Sequence, residues 1–109
     1  MNLRLYVLDG KLPVVEPYLT RWSTWFATAD RTVKQEWVGN VHISTVFLGL
    51  DHNFGLSGDR TPVLFETMLF TNQARLNLTL WRYRTWEEAE QGHQAVVERV
   101  KQDVDRIKI

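Results

Sequence analysis

Apolar positions recur along this chain with two different periods, and the switches between them lay out its elements. Leu3, Leu5 and Val7 alternate with Arg4, Tyr6 and Leu8, which predicts a first strand closed by the turn pair Asp9-Gly10. The period then lengthens. Pro17 suits the first turn of a helix, and Val15, Leu19, Trp22, Trp25 or Phe26, and Ala29 share one helical face through about Arg31, a face rich enough in aromatics to require an apolar surface beneath it. Val33 to Val38 predicts a short strand, Gly39-Asn40 a hairpin turn, and Val41 to Leu50 a long strand.

Asp51 to Thr61 holds two glycines and many turn formers and is the longest irregular stretch. Pro62 to Phe70 is apolar on both faces apart from Glu66 and the threonines, as expected of a strand in mid-sheet. Leu76, Leu78 and Leu80 alternate with Asn77, Thr79 and Trp81 and predict a half-buried strand. Thr85-Trp86-Glu87-Glu88 reads as a capping box opening a last helix, whose stripe is Trp86, Ala89, His93, Val96 or Val97, Val100, Val104 and Ile107. The order β-α-β-β-β-β-α predicts an α+β fold: a two-layer sandwich whose antiparallel or mixed sheet carries both amphipathic helices on one face.

Length and composition narrow the class. The 109 residues suit a single domain, 1–109, and five Trp, five Phe and three Tyr supply enough apolar surface for a core. The absence of Cys excludes disulfides, thiolate metal sites and a cysteine nucleophile. Thirteen basic and thirteen acidic residues cancel, which disfavours general nucleic-acid binding. The first residues lack a secretory pattern and no apolar run has the length of a membrane span, so a cytoplasmic location is expected.

Ionisable residues inside apolar runs are the candidate chemistry. His93 interrupts the buried stripe of the last helix directly after Gly92, whose missing side chain permits close approach to the sheet. Its ring either projects into a pocket beside a carboxylate such as Glu66 or Asp51, or is a core histidine satisfied by a backbone carbonyl. Glu66 shares its strand face with Leu64, Met68 and Phe70; it is either partnered, by Arg82 or a histidine, or directed to solvent. Asp51-His52 leaves a strand for the long loop, where reactive side chains gather, although Asp51 also suits an Asx turn. Arg82, Tyr83 and Arg84 with Trp81 and Trp86 form a basic, aromatic cluster suited to stacking a base or holding a phosphate, or else the solvated face of an edge strand.

No close metal-ligand spacing, nucleophile elbow, phosphate-cradling loop or dinucleotide fingerprint occurs, so no cofactor or metal is expected. The enzymatic alternative has His93 as general acid or base, Glu66 or Asp51 orienting it and His52 stabilising developing charge.

Thr45-Val46-Phe47-Leu48-Gly49-Leu50-Asp51-His52, Leu64-Phe65-Glu66-Thr67-Met68 and Thr85-Trp86-Glu87-Glu88-Ala89 with Gly92-His93 together resemble a widespread group of short proteins encoded by phages and prophages. Tyr6 to Gly10 and Thr28 to Arg31 extend the resemblance, while Ala74 to Leu80 departs from the glycine-rich connection usual in the group. The resemblance implies an accessory protein that acts by binding, sequestering a host protein or a nucleotide-like signal to counter a host defence. A structural or assembly role, through an oligomer formed by an exposed strand, is the third class.

Overall fold

The computed structural model describes residues 4–53, 58–71 and 80–107. Its elements are β1 (Tyr6–Asp9), β2 (Leu12–Val15), α1 (Leu19–Thr28), β3 (Thr32–Val38), β4 (Val41–Phe47), β5 (Phe65–Thr71), β6 (Leu80–Tyr83) and α2 (Trp86–Ile107). The fold is α+β, with a four-stranded antiparallel sheet in the order β3-β4-β5-β6 and a separate two-stranded sheet, β1-β2. β5 lies inside the larger sheet, where its apolar residues on both faces place it. Most of the strand expected over Leu76 to Trp81 lies outside the described residues, which resume at Leu80.

Several elements differ from the sequence reading: β4 ends at Phe47, short of Leu50, and β5 runs from Phe65 to Thr71 where Pro62 to Phe70 was expected. Leu12 to Val15 forms an additional strand, pairing back on β1 through Tyr6↔Val15 and Asp9↔Leu12. Pro13 is tolerated there because β2 is an edge, where a missing N–H breaks no ladder. Val15 therefore belongs to a strand and not to the helical stripe. The first strand also stays out of the main sheet; an isolated bridge, Leu5↔Leu50, joins the residue before it to the segment that follows β4. Finally, α1 ends at Thr28, short of Arg31. Ser23, Thr24 and Thr28 donate their hydroxyls to carbonyls four residues back, a pattern that weakens helices, and Asp30 captures the Thr32 N–H at 3.0 Å.

Alternation sorts the sheet's side chains. Ile43, Thr45 and Phe47 of β4 and Phe65 and Thr67 of β5 are fully buried on the face that α2 covers with Ala89, His93, Val96, Val97 and Val100. Two clusters fill that layer. One joins Tyr6, Phe47, Leu64, Phe65 and Ala89, and the other Ile43, Val96, Val97 and Val100. Each buried Phe contributes about 1.5–3 kcal/mol by leaving water, so the edge-on and tilted contacts among Trp25, Phe47, Phe65 and Trp86 anchor one end of the molecule.

α1 reaches this layer through Trp25, whose ring meets Phe47 at 5.9 Å. Its second attachment is Gly49. The Gly49 carbonyl accepts the Trp22 indole N–H at 3.1 Å and the Tyr6 N–H at 2.8 Å. Gly49 has φ +76° and the Phe26 ring 3.0 Å from where a Cβ would stand, so a side chain here meets both strain and a clash. Half of the expected capping box forms, with Glu88 N–H donating to Thr85 Oγ1 at 3.1 Å, while the Glu88 carboxylate accepts the N–H of Arg84 at 3.3 Å in place of that of Thr85.

Candidate functional site

The register Thr45↔Thr67 sets two hydroxyls side by side on the covered face of the sheet. Water cannot reach either, so each needs a protein partner. Thr45 Oγ1 lies 2.5 Å from Thr67 Oγ1 and 2.7 Å from His93 Nδ1. Beyond Thr67 stands the Tyr83 hydroxyl at 3.1 Å, and beyond His93, at 2.8 Å from Nε2, stands Glu36 Oε1. Five side chains from β3, β4, β5, β6 and α2 thus form one polar chain through the core.

Donor counting orders it. With Glu36 as a carboxylate, His93 Nε2–H donates to it and Nδ1 accepts from Thr45; Thr45 then accepts from Thr67, and Thr67 from Tyr83. Every buried polar atom is satisfied, and among the described residues no buried side-chain nitrogen or oxygen lacks a partner. Such a network fixes a single arrangement of helix on sheet.

Gly92 makes the approach possible. A Cβ at this position would run into Tyr83 Cε1 and its hydroxyl oxygen, so the Tyr83 ring occupies the room a side chain would take. Burial pushes the Tyr83 hydroxyl above its ordinary value of 10.0, with the Thr67 hydrogen bond pulling the other way. The folded state therefore holds this proton more tightly than the unfolded chain does. Its contribution to stability is complete below pH 10 and falls as pH rises beyond it; thermal melts through the alkaline range should show a steeper loss for the wild type than for Tyr83→Phe.

Glu66 and His93 lie on opposite faces of the sheet, so they do not share a pocket. Glu66 is paired across strands with Arg82, whose Nε donates to Oε2 at 3.0 Å, and it is only 7% exposed although α2 covers the other face. Glu66→Gln is expected to cost about 1–3 kcal/mol by unpairing Arg82. Asp59→Asn, at a half-exposed carboxylate, should leave the chemical-denaturation midpoint unchanged. Asp59 sits 2.8 Å from Arg84 Nη1, and its carboxyl is held below its ordinary value chiefly by the Thr61 backbone N–H.

The remaining sequence candidates stand outside this polar chain. Asp51 Oδ1 accepts the N–H groups of Asn53 at 2.8 Å and Val63 at 3.0 Å, an Asx turn that also ties the two ends of the loop together. His52 Nδ1 meets the Leu50 carbonyl at 2.8 Å. Asn53 Nδ2 donates to the carbonyls of Asp59 and Thr61, pinning the described flanks of the loop. Trp86 packs against Phe65 and lies under Lys11. Among the described residues no three His, Asp or Glu side chains gather to hold a metal ion. Glu36 escaped the sequence reading; its only signal was a carboxylate on the strand face that also carries Val38.

A second feature lies on the surface. Seven large apolar side chains are exposed among the described residues, and five of them, Leu12, Val14, Val15, Tyr18 and Leu19, fall in one segment spanning β2 and the start of α1. Leu12 is 64% and Leu19 61% exposed. Three of the aromatics on the expected α1 stripe do find partners, but its first turn does not. No described helix is long and apolar enough to cross a membrane. Comparison with family models, with curated proteins and with solved structures found no match.

Proposed function

We propose that this chain is a small accessory binding protein of the kind phages and prophages encode, and that it captures a host protein through the apolar surface running from Leu12 to Leu19. The concentration of exposed apolar side chains in that single segment carries the reading. Scattered surface leucines are ordinary, whereas clustered ones mark surfaces that are covered in use. β2 adds main-chain groups, since it is paired on one side only and its outer edge has no strand against it among the described residues. An extended segment of a partner would add to that edge while its side chains met Leu12, Val14 and Leu19.

Two observations favour a protein partner over a nucleotide and binding over catalysis. Arg82 and Arg84, the cations of the basic aromatic cluster, are engaged by Glu66 and Asp59, and the Trp86 face is used in packing. His93, the acid or base of the enzymatic reading, is fully buried with both ring nitrogens held by protein atoms, so it is not presented to a substrate. The test is photo-cross-linking in host extract with a photoreactive residue at Leu19, compared with one at Glu98 on the outer side of α2. A discrete protein adduct from position 19 alone is the expected result. The same adducts from both positions, or none from either, would overturn the reading.

A further inference from the structure

Among the described residues, no strand lies against the outer side of β3, an edge of the larger sheet. We propose that the protein forms a two-fold dimer by antiparallel pairing of β3 with β3 of a second copy, centred on Gln35. The pairing is independent of the Leu12 to Leu19 reading, because it uses the opposite part of the chain.

Hydrogen-bond alternation sets the register. Val38 and Val41 flank the two-residue loop Gly39-Asn40, with Gly39 at φ +57°, and so exchange both of their backbone bonds. Moving along the ladder, Glu36↔Ile43 and Lys34↔Thr45 are the next pairs of this type. Gln35 and Trp37, between them, turn their N–H and C=O groups away from β4 and into the open edge. An antiparallel second strand centred on Gln35 meets those groups in phase, each Gln35 exchanging two hydrogen bonds with Gln35 of the second copy.

The side chains agree with that register. It sets Lys34 opposite Glu36 of the second copy, and Glu36 opposite Lys34, in the closer, non-hydrogen-bonded type of pair. Lys34 is exposed and, among the described residues, makes no ion pair; Glu36 uses Oε1 for His93 and is more than a third exposed. Opposite charges meet twice across the two-fold axis. Trp37, 59% exposed, lies just beyond the central pairs on the other face, directed toward the Val33 end of the second copy. The bulge between Thr32 and Lys34 bends only the start of the strand and leaves Lys34 to Val38 regular.

Light scattering on the purified full chain at high micromolar concentration tests this. The expected mass for the wild type is twice 12.8 kDa. Gln35→Pro removes only an outward-facing N–H, and Lys34→Glu, at an exposed position, sets two carboxylates face to face; both should give 12.8 kDa with an unchanged circular-dichroism spectrum. Lys34→Arg should remain dimeric. A wild-type mass of 12.8 kDa would overturn the proposal, as would dimers that survive Gln35→Pro.

Discussion

Gly92→Ala is expected to destabilise the protein by about 2 kcal/mol, although alanine is the better helix former by about 1 kcal/mol. The added methyl would run into Tyr83 Cε1, closer than non-bonded carbons stand. Either α2 lifts from the sheet or the ring swings out and abandons Thr67. Relief should come from the other side of the contact: in a background carrying Tyr83→Ser, the same Gly92→Ala change should be neutral or stabilising. Denaturant melts of the two single variants and the double variant supply the cycle, and equal effects of Gly92→Ala in both backgrounds would exclude the contact.

His93→Ala is expected to cost about 3 kcal/mol, the sum of the cavity left by the imidazole ring in the core and the loss of both hydrogen bonds. Thr45 keeps Thr67 but loses its acceptor, and Glu36 is left to water. His93→Gln, which returns one polar arm of similar reach, should recover part of the loss. Because the ring is held on both nitrogens, the damage should appear in unfolding free energy, and the remaining folded protein should keep its surface intact.

Much of this architecture can be read from local pattern. The Thr85-Glu88 cap, the mid-sheet position of β5 and the inward direction of His93 each depend on residues close in sequence or on a strict period. Elements that depend on competition between patterns were harder. Leu12-Pro13-Val14-Val15 shows no polar alternation and contains a proline, while Val15 and Leu19 also fit a helical face, so β2 merged into α1. The partner of His93 was out of reach for a different reason. Strand parity separates Glu66 from Thr67, but β5 is apolar on both faces, and which face takes α2 is decided by β4, where Ile43 and Phe47 share their side with Thr45. Glu36 sits on an edge strand, where a carboxylate looks like ordinary surface until the helix arrives.

These observations separate two regions with different work. The polar chain under α2 holds helix to sheet, whereas the exposed apolar segment from Leu12 to Leu19 is the surface proposed to meet a partner. Titration of the cross-linked host protein, once isolated, against wild type, Leu19→Ser and His93→Gln tests that division directly. The account predicts that Leu19→Ser weakens binding by about 30-fold, the mark of an interface anchor, while folded His93→Gln binds as the wild type does. Loss of binding in His93→Gln with Leu19→Ser unaffected would contradict it.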